Sequence, residues 1–285
     1  MNNFPDDSEY AKLIDAHIVR HTVNFTYESR AGVWAGGSGI LAHVGIVHGI
    51  VTAGHVLHAL RAHEPKPNEE LIGIGINSVR SNELQAIKMT FDEFRQCPVI
   101  MIGGDGGRNA VMGPDLGFVR LPASKINALT ALGTSLDLQS QAGKNQAPEG
   151  ANEFMVLTAG VADEMIGAPV VIHGIEAVPL TTCVLPGELH SEPPSGVYDR
   201  IRIEPKGGTN YPKSYEGVSG GGIWAIGFRR DSRELRLLDR RLIGVAYFQT
   251  EADAKGERHL IGHGPSSIYR ELLPQIAALE REPMP

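Results

Sequence analysis

Cysteine is scarce: Cys97 and Cys183 are the only two in 285 residues, far apart and outside any CxxC. That excludes a disulfide framework and a thiolate zinc site, and it suits a reducing compartment. Long apolar runs are missing too. No segment approaches the roughly 18 to 20 apolar residues of a membrane span. The N-terminus MNNFPDDSEYAKL has no basic stretch followed by an apolar one, so no secretory leader is indicated and the chain reads as cytoplasmic. Dense Lys/Arg clusters are absent from a chain of net charge −7, which speaks against nucleic-acid or anionic-membrane partners, since both need a positive surface. No HExxH or Cys/His spacing accompanies His43, His48, His55 and His58, and alternation along a strand would send several of them to different faces. No metal and no cofactor are expected.

What is present points to a globular, β-rich chain. Apolar residues make up 42% and charged residues 21%, while 34 Gly and 18 Pro favour turns and short elements over long helices. The length accommodates one large domain or two small ones sharing an interface.

Along the chain, residues 1–30 form an N-terminal segment in which SEYAKLIDAHIVR has helical apolar spacing behind a candidate cap at Ser8. From 31 to 132, the runs GILAHV, GIVTAGHV, LIGIGI, PVIMIG and LGFVRL read as short strands separated by Gly, Pro and Asn. Residues 133–152 are polar and without apolar period, which predicts a linker. A second set of strands runs from 153 to 264, including EFMVLTAGV, DRIRIEP, GGIWAIGF and LIGVAYFQ. Residues 265–285 contain SSIYRELLPQIAALER, a closing helix with Ser266 and Ser267 as candidate caps and Pro274 limiting its first part.

Three segments carry chemistry. In EGVSGGGIW, Ser219 sits inside a run of glycines just before an apolar strand-like stretch. A serine hydroxyl needs a base to take its proton, and main-chain N–H donors for the oxyanion formed at an attacked carbonyl. Gly217 and Ser219 are placed to supply those donors. In GIVTAGHV, His55 ends an apolar run, where a rigid strand can aim an imidazole into a cleft. In GPDLGFVRLP, Asp115 opens a strand-like run and would hold that imidazole in the correct tautomer.

Together these segments resemble the chymotrypsin/trypsin-like serine peptidases and their bacterial HtrA-like relatives, in the family's own order His, Asp, Ser. The resemblance covers roughly Gly32 to Tyr269. It implies an all-β fold of two packed six-stranded antiparallel barrels, with a short N-terminal helix and a C-terminal helix. The first barrel would hold His55 and Asp115, the second Ser219. The implied activity is serine endopeptidase: Ser219 as nucleophile, His55 as base then acid, Asp115 as orienting carboxylate, and the N–H groups of Gly217 and Ser219 as oxyanion hole. The substrate would be a polypeptide, paired as an added strand along Tyr247, Phe248 and Gln249. Lys213 resembles the pocket-floor position, where a cation would favour an acidic P1 side chain, against the plainer reading of a solvated loop lysine; His263 would line the same pocket, and small or apolar P1 residues stay open.

The chain departs from the pattern at Val218, where zymogen-type members carry an aspartate. Activation by an ion pair to a new N-terminus is thereby excluded, which leaves an enzyme made in its active form, or one controlled by a regulatory protein partner or by the N-terminal segment. Two rival readings accompany this one. A catalytically silent barrel pair could serve as a binding or scaffold module. Gly217 to Gly221 also fits the G-x-S-x-G elbow of esterases, which requires a helix after the serine.

Overall fold

The computed structural model describes residues 9–29, 32–64, 69–77, 84–103, 113–144, 150–167, 170–172, 175–177, 181–206, 212–231, 234–254 and 256–282. Ser8 lies outside them. The chain opens with α1 (Glu9–His17) and then builds β1 (Thr22–Ser29), β2 (Gly32–Val44), β3 (Val47–Thr52), α2 (Gly54–Ala62), β4 (Glu69–Asn77), β5 (Leu84–Thr90), α3 (Phe91–Gln96), β6 (Val99–Gly103) and β7 (Asp115–Arg120). After α4 (Ala123–Leu132) come the short β8 (Leu136–Asp137) and α5 (Leu138–Ala142). The second half comprises β9 (Glu153–Gly160), a hairpin of β10 (Val170–Ile172) and β11 (Ile175–Ala177), then β12 (Cys183–Ser195), β13 (Tyr198–Pro205), β14 (Gly222–Asp231), β15 (Glu234–Gln249), β16 (Leu260–His263) and α6 (Leu273–Ala278).

The strands form two main sheets. In the second, β12-β13-β16-β15-β14-β9 hydrogen-bond in a closed ring of six antiparallel strands. The first differs from a six-stranded barrel. It is an eight-stranded sheet in the order β5-β4-β1-β2-β3-β7-β6, with β8 parallel to β2, and its outer strands β5 and β6 do not pair with each other among the described residues. Helix α3 occupies the connection between those edges. Thr90 and Glu93 form its capping box, and Phe91 and Phe94 are buried beneath it, so a helix rather than a ladder seals that side.

Burial follows the alternation of side chains along a strand. Ile72, Ile74 and Ile76 of β4 face the first core with Phe25, Leu57 and Phe94, while Leu185, Ile203, Ile223 and Ile243 fill the ring. A third cluster joins the two sheets, bringing Ile40, Val51, Leu116 and Phe118 against Leu157, Trp224, Ile226 and Leu242. The functional residues lie near this seam.

Two expectations need correction. Residues 133–152 are not a plain tether, because Leu136 pairs beside Ala42 of β2, and Leu136 and Leu138 are buried. Asp137 then caps α5 by accepting from the N–H groups of Gln139 and Ser140. At the C-terminus, neither Ser266 nor Ser267 caps the helix with its own hydroxyl. The Asp199 carboxylate on β13 does so, accepting from the N–H groups of Ser266 (3.0 Å) and Ser267 (2.7 Å) and from the Ser267 hydroxyl (2.7 Å). Pro274 does not end the helical run: Ser267–Leu272 form a π-helical stretch and α6 follows without a break, with the proline in its first turn.

Candidate active site

Strand β3 carries the apolar run to Thr52 and hands over to α2, whose first turn holds His55. Its ring Nδ1 lies 2.6 Å from Oδ2 of Asp115, and its main-chain N–H donates to Oδ1 of the same carboxylate at 2.8 Å. A carboxylate accepts, so Nδ1 carries the hydrogen of this bond and Nε2 is the ring nitrogen outside it. Asp115 opens β7 and is wholly buried, while the His55 side chain keeps 30% exposure. The pair therefore has one buried, fixed member and one that reaches the cleft.

Behind Asp115 lies His263, at the end of β16. The N–H of Asp115 donates to His263 Nε2 at 2.8 Å, and the imidazole stacks on Tyr247 at 4.5 Å between centroids. Burial pushes the His263 pKa down to about 4, against smaller upward pulls from Asp115 and Asp199. The residue does not line the pocket, as the sequence reading expected. On a strand that alternates faces, Leu260 is the one that reaches the cavity, and His263 is fully buried.

Ser219 stands in the loop before β14. With His55, it lines a cavity of about 280 Å³ whose other walls are Tyr215, Glu216, Ala246, Tyr247, Phe248, Gln249 and Leu260. Its hydroxyl is directed at the Tyr247 carbonyl at 3.4 Å. Among the described residues the Ser219 hydroxyl makes no hydrogen bond to His55. The segment after the serine is a strand, so the strand–serine–helix arrangement of an esterase elbow is not what the chain forms.

The loop itself is tightly tied. Val218 N–H donates to Tyr215 O, Gly221 N–H to Val218 O, Gly220 N–H to Ala246 O, and Ala246 N–H to Gly221 O. Among the described residues the N–H groups of Gly217 and Ser219 have no protein acceptor. Gly217 and Gly220 have φ of 87° and 88°, a left-handed conformation that glycine adopts without strain. A side chain at Gly220 would run into the Ser38 carbonyl and the Thr52 hydroxyl.

Substrate-side residues fall into two groups. Tyr247, Phe248 and Gln249 do line the cavity. Gln249 is already engaged, accepting from Tyr215 N–H at 2.8 Å and donating to the Ser214 hydroxyl at 3.2 Å. Lys213 is exposed and outside the cavity walls. Its N–H and that of Ser214 both donate to the Glu164 carboxylate at 2.9 Å, a clamp that fixes the loop's backbone and leaves the lysine side chain outside. No motif marks Glu164, or Asp163, whose N–H holds Glu216 O at 2.8 Å. Burial and the neighbouring Glu216 raise the Asp163 pKa.

Histidines 43 and 48 are cross-strand partners in the β2–β3 register, and their rings stack at 4.9 Å. They share a face of the hairpin, contrary to the expectation from simple alternation. Among the described residues, no three His, Cys, Asp or Glu side chains converge as a metal site would need.

Among known proteins the chain is similar in fold to solved proteases. It covers 91% of its length against a thermostable serine protease, AL20, from an extremophilic microorganism, with 98% of that chain covered, 10% identity and a TM-score of 0.43. Against a catalytically active tobacco etch virus protease complexed with product, the figures are 98% of this chain, 84% of that chain, 12% identity and a TM-score of 0.40. No family model matches the sequence, and no curated protein matches it.

Proposed function

We propose that the chain is a serine endopeptidase acting through an acyl-enzyme. One observation carries the reading: His55, oriented by the buried Asp115, lines the same cavity as Ser219. In this mechanism Nε2 of His55 takes the Ser219 hydroxyl proton as Oγ bonds to the scissile carbonyl carbon. The oxyanion takes hydrogen bonds from Gly217 and Ser219 N–H, which have no other acceptor among the described residues. The amine then leaves with the proton from His55, and water hydrolyses the ester by the same route in reverse. Substrate backbone would pair along Tyr247 to Gln249, at the end of β15, beyond the last residue that β14 pairs with.

The walls Tyr215, Ala246, Phe248 and Leu260 favour an apolar P1 side chain over the acidic one that Lys213 first implied. Glu216 beside the cavity opposes an acidic P1 as well. The direction of the Ser219 hydroxyl, toward Tyr247 O, is the one feature that favours a silent module instead. Cleavage of a peptide library, read by mass spectrometry, decides between them. Endoproteolysis lost in Ser219→Ala and in His55→Gln supports the enzyme; a well-folded wild type that cleaves nothing supports the module.

A further inference from the structure

We infer that Ser38, on β2 of the first sheet, is the positioning residue that holds the oxyanion loop of the second sheet in its working shape. The inference rests on the serine-peptidase reading of Ser219.

Every polar group of Ser38 is engaged, and the residue is wholly buried. Its N–H donates to Ser219 O at 2.8 Å, and its hydroxyl donates to Gly217 O at 2.8 Å. The same hydroxyl accepts from Val161 N–H at 2.9 Å, just past β9. Its carbonyl accepts from the Thr52 hydroxyl at 2.6 Å, three residues before His55. One residue thus connects the histidine strand through its carbonyl, and the nucleophile loop and the second sheet through its hydroxyl.

The significance lies in peptide geometry. A trans peptide is planar, so the N–H of each unit points opposite to its C=O, and fixing one fixes the other. Glu216 O is held by Asp163 N–H, which sets the Gly217 N–H; Val218 O is held by Gly221 N–H, which sets the Ser219 N–H. Between these two units lies the Gly217–Val218 peptide, and after them the Ser219–Gly220 peptide. Ser38 holds the carbonyl of each. If the Gly217–Val218 unit turned, the two oxyanion donors would no longer converge, because the torsions on either side of it relate them. Gly217, with no Cβ and φ of 87°, offers little resistance to such a turn. The Ser38 hydroxyl supplies that resistance at the carbonyl end of the peptide, beside the Tyr215 carbonyl that accepts from its Val218 N–H.

The close approach is built into the surrounding glycines. At Gly37, φ is 122°, and a Cβ would press on Val56 of α2 at 2.8 Å and stand 3.4 Å from Ser219 O. At Gly160 a Cβ would stand 3.1 Å from the Ser38 hydroxyl. In sequence, Ser38 was one letter of a glycine-led strand, with nothing local to mark it.

The test compares wild type, Ser38→Ala and Ser38→Cys, the last keeping size while weakening the donor. The readouts are peptide hydrolysis and the carbonyl stretch of the cinnamoyl acyl-enzyme formed with cinnamoylimidazole. Direct loss of an oxyanion donor costs about 10²- to 10³-fold in kcat. Loss of its support in Ser38→Ala is expected to cost kcat at least roughly tenfold, with KM within about twofold, and to move the acyl carbonyl band to higher frequency as its hydrogen bonds weaken. Ser38→Cys should fall between, and it carries the test should Ser38→Ala not fold. A folded variant with parental kcat and an unmoved band overturns the inference alone. A wild type that forms no cinnamoyl ester at Ser219 overturns the inference together with the peptidase reading.

Discussion

The main-chain N–H of Asp115 donates to Nε2 of His263 at 2.8 Å, so the carboxylate facing His55 is backed by a second, buried imidazole. That bond requires His263 to be neutral at Nε2. Burial, which holds its pKa down at about 4, keeps it so across the neutral range. Replacing His263 with Gln, whose amide oxygen can accept the same hydrogen, should retain most activity. His263→Leu leaves the Asp115 N–H buried and unpaired and should lower kcat/KM about tenfold or more. Equal activity in the two folded variants would show that the acceptor is unimportant.

A second expectation concerns pH and stability. His21 and His263 both have pKa values pushed by burial from 6.5 to about 4. His21 is also discouraged from charging by Arg240, which lies 3.0 Å from its Nε2. The unfolded chain binds protons on these groups between pH 6.5 and 4 while the folded chain does not, so stability falls as pH falls through that window. The slope is about 1.4 kcal/mol per pH unit for each histidine. Denaturant titrations from pH 7 to 4 should show the loss, and His21→Gln should reduce the slope by about one such increment. A slope unchanged in His21→Gln would count against the buried neutral assignment.

Asp115→Asn replaces the acceptor facing His55 Nδ1 with a group that can donate, favouring the wrong tautomer. The expected outcome is a fall in kcat of about 10³- to 10⁴-fold with the fold retained. Circular dichroism and initial rates on the same preparation check it. A loss of less than tenfold would remove Asp115 from the mechanism.

Asp199→Ala should loosen the C-terminal helix, since that carboxylate alone caps its first turn. A stability loss of about 0.5 to 2 kcal/mol is expected. Faster amide exchange at Ile268 to Leu272 should accompany it, and unchanged exchange there would assign the cap elsewhere.

Lys213→Ala should leave the P1 preference unaltered, because the lysine side chain is exposed and only its backbone is held, by Glu164. Glu164→Ala, by contrast, frees the loop and should raise KM. Profiling both variants on one peptide library separates side-chain recognition from loop geometry. A P1 profile changed by Lys213→Ala would restore the lysine to the pocket.

Much of this was legible in the sequence because it is local. The apolar runs LIGIGI and LGFVRL marked β4 and β7, and the glycine run marked the turn at Ser219. What escaped is what only the sheet-to-sheet seam creates. Leu136 and Leu138 sit in a polar stretch, and nothing near them shows that they would bury against β2. The offset of Lys213 from Ser219 cannot show the Glu164 clamp, and the segment around His263 does not show which face β16 turns inward. Ser38 and Asp199 act across long separations in the chain, on partners that no spacing rule links to them.

Labelling with a fluorophosphonate probe, followed by intact mass and peptide mapping, tests the central claim most directly. The account predicts a single adduct on Ser219, abolished in Ser219→Ala and strongly slowed in His55→Gln. A folded wild type that takes up no probe, or an adduct on another residue that persists in Ser219→Ala, would contradict it.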